Sequence, residues 1–154
     1  MVRFRINLRC SLLAISEITS IVDFDEKYAQ EIRRIRNAVF TAEQGILESI
    51  DFDGQDRDAA HVLVQHAGVY AATGRMLPDG HIGRLAVLSE YRRRGLGEKA
   101  LQALVEHARS AGLQWVYLGA QIQVVGFYEK LGFTPCGGPF FEAGIQHIQM
   151  QLFL

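Results

Sequence analysis

Residues 85–97 have the sequence LAVLSEYRRRGLG, and they contain the turn on which the interpretation of the whole chain depends. Apolar strand formers give way to three arginines, and Gly95 and Gly97 then stand where a helix is expected to begin. Glycine lets the backbone approach a ligand closely, and the first N–H groups of a helix have no partner within it. The helix dipole also favours an anion at this end. The stretch therefore predicts a strand, a loop and a phosphate-binding helix N-terminus. The alternative is that the glycines only open the helix and the arginines are solvated.

The segments on both sides of this turn alternate between strand and helix patterns. Apolar residues at a spacing of three and four predict helices, and β-branched or alternating runs predict strands. The predicted elements are a helix from Asp25 to about Phe40, strands at 61–66, 69–76 and 81–88, a helix from Leu96 to about Gly112, a strand at 115–118, a short helix at 123–131 and a strand at 147–154.

This order predicts a single α/β domain over residues 1–154. We expect a mixed, mostly antiparallel central sheet with helices on both faces. The first three strands form an antiparallel meander because short turns join them. The continuous apolar run at 115–118 is typical of a central strand covered on both faces.

Residues 46–58 lose this periodicity and gather five carboxylates in a short distance, which predicts an acidic loop. If such a loop borders the substrate cleft, it favours a cationic acceptor. If it does not, it is a solvated surface.

The composition is that of an ordinary globular protein. The 154 residues are 49% hydrophobic and 21% charged, with a net charge of −1, so no overall field attracts nucleic acid or a membrane surface. The histidines show no paired spacing, which predicts no metal site. Cys10 and Cys136 form no CxxC pair, and residues 10–15 are too short an apolar run for an export signal, so we expect a cytoplasmic protein.

Two motifs resemble those of a known family. Arg92-x-x-Gly95-x-Gly97, after a strand that ends in LAV, is similar to the Q/R-x-x-G-x-G/A signature of the GNAT N-acetyltransferases. Residues 127–133, FYEKLGF, resemble the second motif of that superfamily at the expected distance downstream. The resemblance covers roughly residues 28 to 152 and is closest to the bacterial ElaA-like subgroup.

The resemblance implies that acetyl-CoA is the co-substrate and that an amine is the acceptor. Pantetheine would pair with the strand before the loop, and the loop amides would hold the pyrophosphate. Gln121 stands where many relatives have an asparagine that contacts the pantetheine arm. The implied cofactor-binding residues are Leu85, Ala86, Val87, Arg92, Arg93, Arg94, Gly95, Gly97 and Gln121.

Two residues are candidates for the chemistry. In the family, the tyrosine at the place of Tyr128 donates a proton or a hydrogen bond to the leaving thiolate; the alternative is a tyrosine packed in the core. His81 stands where some relatives have a glutamate and is a candidate base; the alternative is a solvated histidine. Glu43, Glu142 and His147 could line the acceptor cleft, but the sequence assigns them no role.

The sequence thus predicts an N-acetyltransferase that moves an acetyl group directly from acetyl-CoA to an amine. A non-catalytic sensor that binds acyl-CoA is the alternative, and an interaction domain without cofactor is a weaker one. Homodimer formation through an edge strand stays open.

Overall fold

The computed structural model describes residues 14–154 of the chain. Residues 1–13 lie outside this description, and with them Cys10 and most of the stretch considered for an export signal. The described elements, in chain order, are β1 (Glu17–Val22), α1 (Ala29–Arg36), α2 (Glu48–Asp51), β2 (Ala60–His66), β3 (Val69–Met76), β4 (Ile82–Val87), α3 (Leu96–Ser110), β5 (Trp115–Gln121), α4 (Val125–Lys130), β6 (Thr134–Glu142) and β7 (Ile145–Phe153).

The strands form two antiparallel sheets that meet at a narrow junction. The first sheet has the order β1-β2-β3-β4 and the second β5-β7-β6. Between them, β4 and β5 run parallel and are joined by a single bridge, His81 to Tyr117, where the Tyr117 N–H donates to the Gly80 carbonyl at 3.1 Å. Beyond this bridge the facing edges of β4 and β5 do not pair.

Helices cover both faces of the first sheet because the strand side chains alternate in direction. Leu63 and Ala86 pack with α1 on one face. Val62 and Val64 pack with α3 on the opposite face. The predicted mixed, mostly antiparallel sheet with helices on both faces is confirmed.

The predicted helix from Asp25 divides into two parts. The Asp25 carboxylate accepts the N–H groups of Lys27 and Tyr28, so it caps the turn just before α1. After Arg36 the backbone continues as a π-helix, Asn37–Glu43. Such wide turns occur frequently at functional sites.

Three expectations about strands and loops were wrong. β1 and β6 were not predicted, and β6 (TPCGGPFFE) combines two prolines with two glycines, residues that ordinarily interrupt strands. It is nevertheless an edge strand, with an irregular register between Pro135 and Pro139. β5 is not covered on both faces, since Val116 and Leu118 are buried whereas Trp115 is 48% exposed. Residues 46–58 contain α2 and a turn of 3-10 helix instead of an open acidic loop.

Candidate active site

A cleft of about 1050 Å³ opens where β4 and β5 separate. Ligand sites ordinarily fall in the range of about 300–1,000 Å³, so this cleft accommodates a large substrate. The π-helix, the loop before α3, and α4 complete its walls. The predicted site residues that line it are His81, Leu85, Ala86, Val87, Arg92, Arg93, Gly95, Gly97, Gln121 and Tyr128.

The edge of β4 presents unpaired backbone groups to the cleft. The Leu88 N–H donates to the Ala71 carbonyl at 2.9 Å, so Leu88 faces β3. Because backbone groups alternate along a strand, the N–H and carbonyl of Val87 point to the other edge, toward β5. The carbonyl accepts the Arg92 Nε–H at 3.1 Å. Within residues 14–154 the Val87 N–H has no partner.

The loop before α3 presents a series of free amides. Lys99 is the first residue of this region whose N–H bonds back into the helix, to the Gly95 carbonyl at 3.0 Å. The N–H groups of residues 93–98 have no acceptor in the described part of the chain. Gly95 adopts a φ of 76°, in the left-handed region that favours glycine, and this turns the chain into the helix. Free amides at a helix N-terminus form an anion site.

The three arginines of this loop differ in their surroundings. The Arg92 guanidinium forms a bidentate pair with the Glu43 carboxylate, at 2.6 and 2.7 Å, which links the loop to the end of the π-helix. This contact lowers the pKa of Glu43 below its ordinary value. Arg93 lines the cleft, whereas Arg94 lies over the Tyr91 ring and 3.5 Å from His66. Arg94 therefore remains available to the cleft through its backbone amide, as the resemblance implies, whereas its side chain is directed to Tyr91 and His66.

Three aspartates of the acidic segment pair with arginines: Asp51, Asp53 and Asp56. Asp51 is 2% exposed and Asp56 5%. The fully buried Arg36 bonds to both carboxylates, at 3.0 and 2.7 Å. Arg75 and Arg84 pair with the remaining oxygens. Three arginines thus balance these three aspartates, of which Asp51 and Asp53 line the cleft, so their charge is largely compensated before an acceptor binds.

The same network holds an irregularity in β4. Thr73 pairs with Ala86 and Arg75 with Gly83, so β4 carries one residue more than β3 in this interval. Arg84 stands at this bulge with a φ of 53°, which is uncommon for a residue other than glycine. Its guanidinium is held by the Asp51 carbonyl at 3.0 Å and by the Asp53 carboxylate at 3.2 Å. The ion pairs therefore stabilise the bend that separates β4 from β5.

Tyr128 lies on α4 beneath the cleft. Its ring packs edge-on against Phe127 and Phe133, with centroids at 5.0 and 6.0 Å. Its hydroxyl has no hydrogen-bond partner among residues 14–154, and burial raises the pKa of Tyr128 to about 12. Tyr128 is therefore protonated at neutral pH and has a free donor. It is packed against the core and lines the cleft as well.

His81 marks the junction of the two sheets. Its ring stacks on Tyr117, with centroids 4.8 Å apart and planes 3° from parallel. Burial lowers the pKa of His81 below its ordinary value of 6.5, so the imidazole is neutral at pH 7. Tyr117 in turn donates to the Asp79 carboxylate, which raises the pKa of Tyr117 to about 12. The ring of His81 is half-buried, so His81 is not the solvated histidine of the alternative interpretation.

Gln121 connects the two sides of the cleft. Its amide donates to the Gln44 side chain at 3.0 Å and accepts from Gln123 at 2.9 Å. Gln44 directly follows Glu43, so the end of the π-helix is linked both to β5 and, through the Arg92–Glu43 pair, to the loop before α3. Three residues that were considered for the acceptor cleft but assigned no role also line it: Glu43, Glu142 and His147. Gln44, Gln123 and Phe127 are lining residues that sequence reasoning missed.

Two further observations concern the described residues only. Residues 14–154 contain no group of three histidine, cysteine or acidic side chains placed to hold a metal ion. The longest helix in this range, α3, has 15 residues, and no helix here is long and apolar enough to cross a membrane.

Comparison with known proteins identifies the family. The model of the acetyltransferase (GNAT) domain matches residues 25–154. A Bacillus subtilis protein named as an acetyltransferase is 36% identical over 88% of this chain and 93% of its own length. Escherichia coli ElaA is 31% identical over 76% of this chain and 82% of its own.

Solved structures of similar proteins have the same fold. The crystal structure of E. coli ElaA superposes with a TM-score of 0.75 and 28% identity, over 89% of this chain and 98% of that one. An acyl-CoA N-acyltransferase from Pseudomonas aeruginosa gives 0.75 and 27%, over 90% and 99%. The chain belongs to the GNAT acetyltransferase family. Its homologues include ElaA, and members of the family use acyl-CoA co-substrates.

Proposed function

We propose that this protein is an N-acetyltransferase that transfers an acetyl group directly from acetyl-CoA to an amine. The main support for the proposal is that two sets of backbone groups without hydrogen-bond partners lie in one cleft. The amides of residues 93–98 offer an anion site, and the adjoining edge of β4 offers unpaired strand groups. A ligand that joins a pyrophosphate to an arm with amide groups would use both. The pyrophosphate would bind the anion site, and the arm would pair with the strand edge.

The residues fit this co-substrate. The amides from Arg93 onward would bind the pyrophosphate, with the helix dipole of α3 adding a favourable field. The β4 edge would pair with the amides of the arm, as an added strand pairs with a sheet edge. Gln121 would have to release Gln44 or reach past it to contact the arm. Bound acetyl-CoA supplies the reactive thioester.

The Val87 N–H is free and points into the cleft, so it would polarise the thioester carbonyl. A donor placed where negative charge develops stabilises the transition state. The transfer forms a C–N bond, breaks the C–S bond and moves one proton from the amine to the sulfur. Neutral His81 is suited to accept the amine proton, directly or through a water.

Tyr128 would stabilise the departing sulfur by a hydrogen bond. A thiol has a pKa of about 8.5, well below that of Tyr128, at about 12. Full proton transfer from the tyrosine to the thiolate is therefore uphill by several pKa units. The hydroxyl supports the charge as a donor, and the proton that ends on sulfur comes from the amine through His81 or solvent.

The first prediction concerns binding alone. At a hundred times its dissociation constant, acetyl-CoA stabilises the protein by about 2.7 kcal/mol, a rise in Tm of about 5–10 °C for a domain of this size. A thermal melt with and without acetyl-CoA measures it. We expect Gly97→Trp to abolish the shift, because a side chain there extends between Val87 and Phe127, which line the cleft.

Gly97→Ala is the matched control. Its Cβ would lie 3.4 Å from Val87 and 3.7 Å from Phe127, which are ordinary contacts, and the residue is in the first turn of a helix. This variant should fold and keep most of the shift. A wild-type Tm that does not respond to acetyl-CoA would contradict the assignment of the co-substrate.

A further inference from the structure

A second cavity of about 370 Å³ adjoins the main cleft at the junction of the two sheets. It shares four lining residues with that cleft: His81, Leu118, Gly119 and Glu142. Its size is near the lower end of the range of about 300–1,000 Å³ for small-molecule sites. It therefore suits a ligand with a body of about one ring.

The walls of this second cavity are aromatic. Phe140 of β6 and the stacked pair of His81 and Tyr117 line it. Phe140 and Glu142 lie on the same face of β6, because side chains alternate along a strand. Gly119 makes room for this arrangement, since a Cβ at its position would lie 3.0 Å from the Phe140 ring. Phe140 is held further by stacking on His147, at 5.6 Å between centroids.

One carboxylate at this cavity, that of Glu142, is available to bind a cation. Glu142 has no ion-pair partner among residues 14–154, and no lysine or arginine lines the second cavity. Asp79 nearby is already occupied by the Tyr117 hydroxyl and the His81 N–H. Glu142 ends β6 at a tight two-residue turn, where Ala143 and Gly144 have φ values of 52° and 74°. The turn holds the carboxylate at the mouth shared by both cavities.

We propose that the acceptor is a small primary amine joined to an aromatic ring, with the ring between Phe140 and Tyr117 and the ammonium group beside Glu142. This proposal rests on the proposed function and specifies its acceptor. The aromatic faces add an attraction for the cation as well as apolar contact. The amine then lies next to His81, at the point where the cavity joins the main cleft.

The test compares 2-phenylethylamine with butylamine, which has the same ammonium group without the ring. With acetyl-CoA and detection of free thiol, we expect kcat/KM for 2-phenylethylamine to be about tenfold higher or more, the factor that corresponds to 1.4 kcal/mol. Phe140→Ala should remove this preference. Glu142→Gln should raise KM for both amines about tenfold, through loss of a charged hydrogen bond. Neither variant should change the affinity for acetyl-CoA.

Phe153→Ala is the control, because Phe153 is 67% exposed and lines neither cavity. It should behave as the wild type with both amines. Equal kcat/KM for the two amines in the wild type, or an equal loss for both in Phe140→Ala, overturns the aromatic subsite while the transferase stands. Binding of acetyl-CoA without transfer to either amine also overturns this acceptor alone. Failure of the wild type to bind acetyl-CoA instead overturns the proposed function and this proposal with it.

Discussion

Replacing Tyr128 by phenylalanine is expected to lower kcat by about 10²–10³, the loss typical of one donor to a developing negative charge. The variant removes only the hydroxyl, which lines the cleft and has no other partner among the described residues. The packing against Phe127 and Phe133 stays. Initial rates of thiol release at saturating amine measure the change in kcat.

Affinity for acetyl-CoA should be nearly unchanged in this variant, because the donor acts on charge that is present only in the transition state. A calorimetric titration provides that control. Wild-type turnover in Tyr128→Phe would mean that the tyrosine serves only in packing. A large loss of affinity would instead mean that it serves in binding.

Replacing Arg36 by alanine is expected to lower the free energy of unfolding by about 3–5 kcal/mol, the cost of removing one partner from a buried ion pair. Arg36 is fully buried and bonds to Asp51 and Asp56. Its loss leaves carboxylate oxygens in the interior with too few donors. Chemical denaturation monitored by circular dichroism measures the difference.

Arg109→Ala is the matched control, because it removes an arginine from an ion pair on the surface. Arg109 and Glu106 are 50% and 68% exposed, and such pairs contribute less than about 1 kcal/mol. If the two variants lose similar stability, the buried network does not hold the fold.

The dependence of stability on pH has a defined sign for this network. Hydrogen bonds from Arg75 lower the pKa of Asp53 below its ordinary value of 3.8. The folded protein thus keeps this carboxylate charged at a pH where the unfolded chain is already protonated. The stability that the charged Asp53 contributes to the fold is therefore complete above the ordinary pKa. This contribution is lost as the pH falls through that pKa and below it.

Sequence reasoning was most successful where one pattern decided the local structure. The apolar stripe of α3 has one period and a clear start at Leu96, and the observed helix is Leu96–Ser110. The three strands before it have turn residues between them and match within one residue at each end. β6 was missed because its prolines and glycines argue against a strand, whereas pairing with β7 decides its structure.

The candidate site was only partly predictable for a related reason. The motif residues are close in sequence, so the loop and the β4 edge follow from local pattern. Glu43 reaches Arg92 across 49 positions, and Gln44 reaches Gln121 across 77. No local pattern encodes such pairs. The same holds for the aspartates of residues 51–56, whose charge looked available until the structure placed buried arginines beside them.

The most direct test of the central claim is transfer of a labelled acetyl group. The wild-type protein is incubated with acetyl-CoA labelled in the acetyl group and with 2-phenylethylamine and butylamine in turn, and the products are identified by mass spectrometry. We expect labelled N-acetylamine in proportion to the free coenzyme A released, and almost none with Gly97→Trp. Release of coenzyme A with the label found only as acetate would contradict the assignment of the protein as an N-acetyltransferase.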